Sequence, residues 1–185
     1  LFCHSNIQYY RTQLIHNSVN CKYVGVLHEF LETPPGIEAQ TLHDCYIFYG
    51  ATGARSKNPD KYLHDAEIFE KALEKDPNNS RNVFYCAQSY RDANRLVKAL
   101  TFYTKRSEMG GWNEEVYVAL LEAAKLTERI RPFDSTTVES AYLKAVNFYP
   151  NRAEALYHLI VYCRNRKFYD KAYFFSRIAL SISKP

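Results

Sequence analysis

The sequence predicts a mainly α-helical protein, with about seven helices packed as antiparallel pairs in a solenoid behind a short β-rich segment. From Pro59 onward, apolar residues recur with the 3.6-residue period of helices, and few Gly or Pro residues interrupt them. Alanine and proline residues also recur along the sequence at a spacing that fits stacked helix pairs. We therefore predict two domains, residues 1–58 and residues 59–185.

The β-rich segment is predicted from three short runs of strand-forming residues. They are Tyr9–Ile15, Cys21–Leu27 and Cys45–Tyr49. Turn-forming residues, including Pro34-Pro35-Gly36, separate these runs. The first 58 residues are thus expected to form small strands rather than helices.

The helices are predicted from amphipathic stripes. In the first helix, Leu63, Ala66 and Phe69 share one face, and Asp76-Pro77 ends it. The seven predicted helices cover residues 60–76, 80–92, 95–109, 113–127, 135–149, 152–165 and 168–183.

Alanine and proline recur at matched distances. Ala72 lies five residues before Pro77, and Ala145 lies five residues before Pro150. From Pro150 to Pro185 is a single unit of 35 residues. This spacing resembles tetratricopeptide (TPR) repeats, whose period is about 34 residues. A helical bundle without repeats is the alternative.

Composition and charge exclude several classes of protein. Hydrophobic residues make up 46% of the 185 residues, which excludes a disordered or collagen-like chain. The net charge of +4 is too mild for a nucleic-acid binder, so no nucleic-acid partner is predicted. No apolar run approaches the roughly 20 residues that span a bilayer.

The cysteines favour a reducing compartment. There are five, widely scattered and without a Cys-x-x-Cys motif, so a disulfide framework is not expected. We predict a cytoplasmic protein. Because the sequence starts with Leu1 and lacks a signal peptide pattern, we also expect it to begin inside a longer protein or to have been trimmed.

The N-terminal segment resembles a second family. A strand-like run containing Arg11 is followed by Tyr23-Val24-Gly25-Val26-Leu27-His28-Glu29. This pattern is similar to the end of the catalytic domain of family 2 glycosyltransferases. The stretch that begins at Gly53 and runs through the first helix resembles the linker that precedes TPR-like helices in bacterial and large-virus members of that family.

The glycosyltransferase resemblance implies roles for five residues. His28 and Glu29 would be catalytic, with His28 binding a metal or the sugar-diphosphate and Glu29 accepting a sugar hydroxyl. Gly25 would allow close backbone approach, and Arg11 and Arg55 would contact phosphate or acceptor. The full-length enzyme would use a divalent metal, Mn or Mg, a nucleotide-sugar donor, and a glycan or protein acceptor.

Essential parts of that family are missing from this chain. The metal-binding Asp-x-Asp occurs nowhere in the 185 residues, and no catalytic base can be identified. We therefore expect the isolated chain to hold no cofactor and to be inactive.

Other candidate sites have simpler explanations. His43-Asp44-Cys45 could ligate a metal, but adjacent strand residues point to opposite faces. The Gly-rich stretch from Gly50 to Lys57 lacks the Gly-Lys-Ser/Thr of a phosphate loop and is interpreted as a connector. Asp65, Glu67 and Glu70 are expected on a solvated helix face. The tyrosine stripe is expected mainly in the core, with a minority lining a groove: Tyr85, Tyr90, Tyr103, Tyr117, Tyr142, Tyr157 and Tyr162.

Two functions of different classes remain. In the first, the chain is the C-terminal part of a glycosyltransferase, and its repeats bind the acceptor or a second copy. In the second, it is a non-catalytic TPR module that binds a protein partner, and His28-Glu29 is incidental. In either case a homodimer through the helical repeats is expected.

Overall fold

The computed structural model describes residues 2–4, 7–43, 47–48 and 58–182. The chain divides into two compact units, Leu1–Lys61 and Tyr62–Pro185.

Short strands make up the regular structure of the first unit. They are β1 (Phe2–His4), β2 (Ile7–Tyr9), β3 (Lys22–Val24), β4 (Phe30–Glu32) and β5 (Ile47–Phe48). One sheet has the order β2-β1-β5, in which β1 pairs antiparallel with β2 and parallel with β5. Strands β3 and β4 form an antiparallel hairpin. Lys22 faces Glu32 across it, with 2.7 Å between Nζ and Oε2.

The predicted β-rich segment is present, but its strands differ from those expected. The run Tyr9–Ile15 is not a strand, because only Tyr9 belongs to one and residues 10–18 are exposed without regular structure. The run Cys21–Leu27 holds only β3, since the chain bends from Gly25 onward. Strand β4 was not predicted, whereas β5 lies inside the predicted run Cys45–Tyr49.

Seven helices form the described part of the second unit, as the sequence predicts. They are α1 (Lys61–Lys75), α2 (Ser80–Asp92), α3 (Leu96–Glu108), α4 (Asn113–Ile130), α5 (Ser135–Phe148), α6 (Glu154–Asn165) and α7 (Tyr169–Leu180). The largest differences from the predicted bounds are three residues, in α7, which ends at Leu180 rather than at residue 183, and in α4, which continues past residue 127 to Ile130. Thr127 is buried there and donates its hydroxyl to the carbonyl of Ala123 at 2.8 Å, so the helix stays packed.

Side-chain caps fix the beginning of two helices. Asn79 accepts a hydrogen bond from the backbone N–H of Asn82 at 3.0 Å and starts α2. Asp134 does the same for α5, accepting from the backbone N–H of Thr137 at 3.1 Å. Each cap satisfies an amide that the first helical turn leaves without a partner.

A structural repeat of 73 residues, two helix pairs long, relates the two ends of the unit. The turn from α2 to α3 has a left-handed residue, Asn94, and the turn from α6 to α7 has Lys167 at the equivalent place. The hydrogen bonds repeat as well: Arg95 donates its amide to the carbonyl of Tyr90, and Phe168 donates to Cys163, both at 2.8 Å. Helices α1, α2 and α3 therefore correspond to α5, α6 and α7.

Small residues and rings alternate in the core, as predicted. Ala87, Ala99 and Ala155 are fully buried and let neighbouring helices approach closely. Five tyrosines of the predicted stripe are also buried: Tyr90, Tyr103, Tyr117, Tyr142 and Tyr162. Tyr85 is half-buried and Tyr157 is 61% exposed, so most of the stripe lies in the core as expected, and a minority does not.

Two charged residues lie deeper than their sequence context indicates. Asp65 was predicted on a solvated face, but it is buried at 4% exposure. Arg106 is buried at 1% and pairs with Glu115, with 2.6 Å between Nε and Oε1. Its guanidinium also donates to the carbonyl of Gly110 at 2.8 Å, which ties the end of α3 to the turn that follows.

Candidate interaction groove

The main surface feature of the second unit is a groove between α3 and α5, with α4 as its floor. Helix α4 packs against both neighbours, whereas α3 and α5 are not packed along each other. Four-residue connections join these helices, so α3 and α5 run parallel to each other and antiparallel to α4. The resulting groove has a volume of about 1030 Å³.

The floor and the walls of the groove differ in chemistry. The floor is mostly apolar, with Leu120, Ala123 and Ala124 from α4. The walls carry hydroxyl groups, with Thr104 and Ser107 on α3 and the remainder on α5: Thr136, Thr137 and Ser140. Such a surface can bury an apolar stripe and satisfy polar groups beside it.

An ion-pair cluster ties α4 to α2. Arg91 of α2 donates to Glu122 of α4 at 3.0 Å, and Lys125 donates to the same carboxylate at 2.6 Å. Burial by itself would raise the pKa of Glu122. The hydrogen bonds from Lys125 and Arg91 outweigh burial and hold that pKa below its ordinary value. The carboxylate therefore stays charged and keeps the two helices linked.

A second cluster ties the other end of α4 to α6. Arg152 forms ion pairs with Glu114 and Glu154, and its guanidinium lies 4.3 Å from the ring centroid of Tyr117. The hydroxyl of Tyr117 accepts from the amide of Ala155 at 3.2 Å and donates to Glu154 at 3.3 Å. Burial raises the pKa of Tyr117 to about 12, so this hydroxyl keeps its proton. The two clusters together hold α4 against α2 and α6, and so keep it in place as the floor of the groove.

The groove is lined by few of the groups that acid–base or nucleophilic catalysis uses most often. Among the residues that line it there is no His, Cys or Asp, and its carboxylate is Glu108, which is exposed at the end of α3. Arg131 and Lys144 supply its positive charges. An apolar floor between walls that carry hydroxyl groups is suited to binding.

Three of the predicted site residues lie together in the loop of the β3–β4 hairpin. Gly25, His28 and Glu29 are exposed there, between strands that end at Val24 and resume at Phe30. Gly25 has a φ of +124°, and a Cβ at this position would lie 3.3 Å from the carbonyl oxygen of Leu27. The hairpin itself therefore requires this glycine, independently of any substrate.

The structure does not bring the other predicted site residues to a defined site. Arg11 lies on the exposed stretch between β2 and β3. Arg55 lies outside the described residues, as do the whole Gly50–Lys57 connector and the Asp44-Cys45 part of the His43-Asp44-Cys45 motif. Within the described ranges, no three His, Cys, Asp or Glu side chains form a group that could hold a metal ion. The catalytic, metal and substrate roles of His28, Glu29, Gly25, Arg11 and Arg55 stay predictions.

The sequence predicted a groove lined by a minority of the stripe tyrosines, and the groove found has a different lining. None of the seven tyrosines lines it, and five of them are buried in the core. The sequence signal for this groove is the set of small and hydroxyl side chains on α5, in Ser135-Thr136-Thr137 and Ser140-Ala141. These side chains are too small to fill the space beside α4.

No helix in the described ranges combines the length and the apolar character needed to cross a bilayer.

Comparisons with known proteins identify the fold of the helical unit. No protein-family model matches the chain, and no curated protein matches it. Among solved structures, the chain is similar to the crystal structure of MamA, a TPR-like helical repeat protein, with a TM-score of 0.56. The match covers 73% of this chain and 76% of MamA at 19% sequence identity. The fold is therefore a TPR-like helical repeat, and no finding supports a glycosyltransferase domain.

Proposed function

We propose that this chain is a protein-interaction module that binds a segment of a partner protein in the groove between α3 and α5. The TPR-like fold is suited to protein interaction, because stacked helix pairs build extended binding surfaces. The observation that carries the proposal is the groove itself, which has an apolar floor and walls that carry hydroxyl groups.

The dimensions of the groove favour a peptide segment. Along α3 it extends from Val97 to Glu108, which is about 17 Å at 1.5 Å per residue. A partner helix of about three turns, or 11 residues, has the same length. The volume of about 1030 Å³ is at the upper end of the range for small-molecule sites, which is roughly 300–1,000 Å³.

The chemistry of the groove favours an amphipathic helix. The apolar floor of α4 would receive residues spaced at i, i+3, i+4 and i+7, and the hydroxyl groups of α3 and α5 would face the polar flanks of that helix. Glu108 and Lys144 mark the end of the groove where α3 and α5 finish, and Arg131 marks the other end. These charges would fix the direction in which the partner lies.

The glycosyltransferase hypothesis lacks a comparable observation. A sugar-nucleotide site would need carboxylates for Mn or Mg, and the sequence has no Asp-x-Asp. The described residues offer no group of metal-ligating side chains, and His28-Glu29 lies in an exposed hairpin loop. The residues present therefore do not fit such a metal.

A peptide selection with matched groove variants tests the proposal. A library of random helical peptides is selected against the chain, and binding of the selected peptides is then measured on two tryptophan variants. Thr104 and Thr101 are both exposed threonines of α3, but only Thr104 lines the groove. Thr104→Trp would fill the groove, so we expect affinity to fall about tenfold or more, which is about 1.4 kcal/mol. Thr101→Trp should bind like the unmodified chain.

An equal loss of peptide affinity in both variants, or no loss in either, would mean that the peptide binds outside the groove between α3 and α5. Circular dichroism of both variants serves as the control for folding.

A further inference from the structure

The last helix exposes an unusually apolar face. Tyr169, Tyr173 and Phe174 of α7 are 60–68% exposed, and Leu180 is 83% exposed. The opposite face of α7 is buried through Ala172 and Phe175 and through partly buried neighbours. A contiguous exposed apolar patch on a helix usually marks an interaction surface.

The internal repeat shows that this apolar face is particular to α7. Helix α3 corresponds to α7 in the 73-residue repeat, and α4 packs on α3 through another face, where Arg106 pairs with Glu115. The positions of α3 equivalent to this face of α7 are not covered, since Val97 is 67% exposed and Thr101 and Thr104 are exposed as well. The two aromatic rings of α7 therefore stand where α3 carries smaller side chains.

The charged residues beside the exposed rings of α7 indicate which kind of helix could pack on this face. Asp170, Tyr173, Phe174 and Arg177 are spaced at i, i+3, i+4 and i+7, so they lie on one stripe of the helix. Asp170 and Arg177 are exposed, and neither forms an ion pair within the described part of the chain. The stripe thus has one negative end, one positive end and two aromatic rings between them.

We propose that α7 is a self-association surface, on which α7 of a second copy packs antiparallel about a two-fold axis between Tyr173 and Phe174. This arrangement places Asp170 of each copy beside Arg177 of the other, and it brings the four rings together at the axis. Both contacts follow from one symmetric placement, as an isologous interface requires. Parallel packing would instead put like charges side by side.

The area available suits a weak but specific dimer. With about 200 Å² for each aromatic side chain, the exposed parts of the three rings together with Ile178 and Leu180 give roughly 500 Å² per copy. The symmetric pair would bury about 1,000 Å², which is at the lower limit for a specific interface. The groove between α3 and α5 takes no part in it, so this proposal does not depend on the proposed function.

Charge reversal tests the proposal on the full chain. Sedimentation velocity over a concentration series should show the mass rising from 21.6 kDa toward twice that value. Asp170→Arg or Arg177→Asp should weaken association by about tenfold or more, because each puts like charges together across the axis. The double variant D170R/R177D should restore association to within about threefold of the original.

Arg164→Asp is the matched control, since Arg164 is an exposed arginine on α6 away from this stripe, and it should leave association unchanged. A chain that stays monomeric at all concentrations would overturn the proposal, because another molecule would then have to cover α7. Association that survives both single reversals, or that the double variant fails to restore, would overturn it equally.

Discussion

Cys86 shows how close packing in the solenoid changes the chemistry of a single side chain. It is fully buried on α2, and its thiol donates to the carbonyl of Ala66 on α1 with 3.8 Å between sulfur and oxygen. Burial, and after it the nearby Glu70 carboxylate, raises the pKa of Cys86 from its ordinary 9.0 to about 12. The thiol therefore packs as a small apolar group.

This environment predicts that Cys86 is unreactive in the folded protein. A pKa higher by about three units lowers the thiolate fraction at pH 8 about a thousandfold, and burial blocks the reagent as well. We expect iodoacetamide to label the half-buried Cys21 first and to label Cys86 only after unfolding in urea. Peptide mapping by mass spectrometry measures both rates. Labelling of Cys86 in the native protein as fast as Cys21 would contradict the packing of α1 on α2.

Helical periodicity predicted most buried residues and failed where a neighbouring helix decides the outcome. Tyr90, Tyr103 and Tyr142 are buried as expected. Asp65 was expected in solvent and is buried, and the period could not show that Tyr157 is among the exposed minority of the stripe. In a solenoid an internal helix packs against helices before and after it, so the period of one helix cannot show which of its faces are covered.

At the scale of elements, the connection between α3 and α4 depends on a buried ion pair. Arg106 and Glu115 are 1% and 11% exposed in their side chains, and Gly110 and Gly111 supply the positive φ angles of the turn. The guanidinium of Arg106 also satisfies the carbonyl of Gly110. Removing one partner would leave the other charged and buried.

We predict that Glu115→Ala lowers the free energy of unfolding by about 3–5 kcal/mol, because it leaves the buried charge of Arg106 without its carboxylate partner. The double variant Arg106→Met with Glu115→Leu should recover much of this loss, because apolar side chains of similar size replace both charges. Urea unfolding followed by helical circular dichroism measures both. A loss below about 1 kcal/mol in Glu115→Ala would mean that this pair behaves like one on the surface.

Helix bounds could be predicted from the sequence more closely than strand bounds. Pro77, Pro150 and the capping residues Asn79 and Asp134 mark the ends of helices by local chemistry. Strand β4 has no such local signal, since its three residues become a strand only by pairing with β3. Pairing between separate segments cannot be predicted from the period of either one.

At the scale of the whole molecule, the repeat was predictable, whereas the position and the lining of the groove were not. The alanine and proline spacing that predicts helix pairs returns in the structure as the 73-residue repeat of turns at Asn94 and Lys167. The groove depends on the separation of α3 and α5, which are not consecutive in sequence. The glycosyltransferase resemblance depended on residues of the other unit, and the fold comparison supports the helical repeat alone.

Hydrogen–deuterium exchange with and without a selected peptide tests the interaction module most directly. The account predicts slower amide exchange on peptide binding in α3, α4 and α5, the helices that form the groove, with residues 22–32 of the hairpin unchanged. Slower exchange confined to the hairpin loop around His28, with α3 to α5 unaffected, would contradict it.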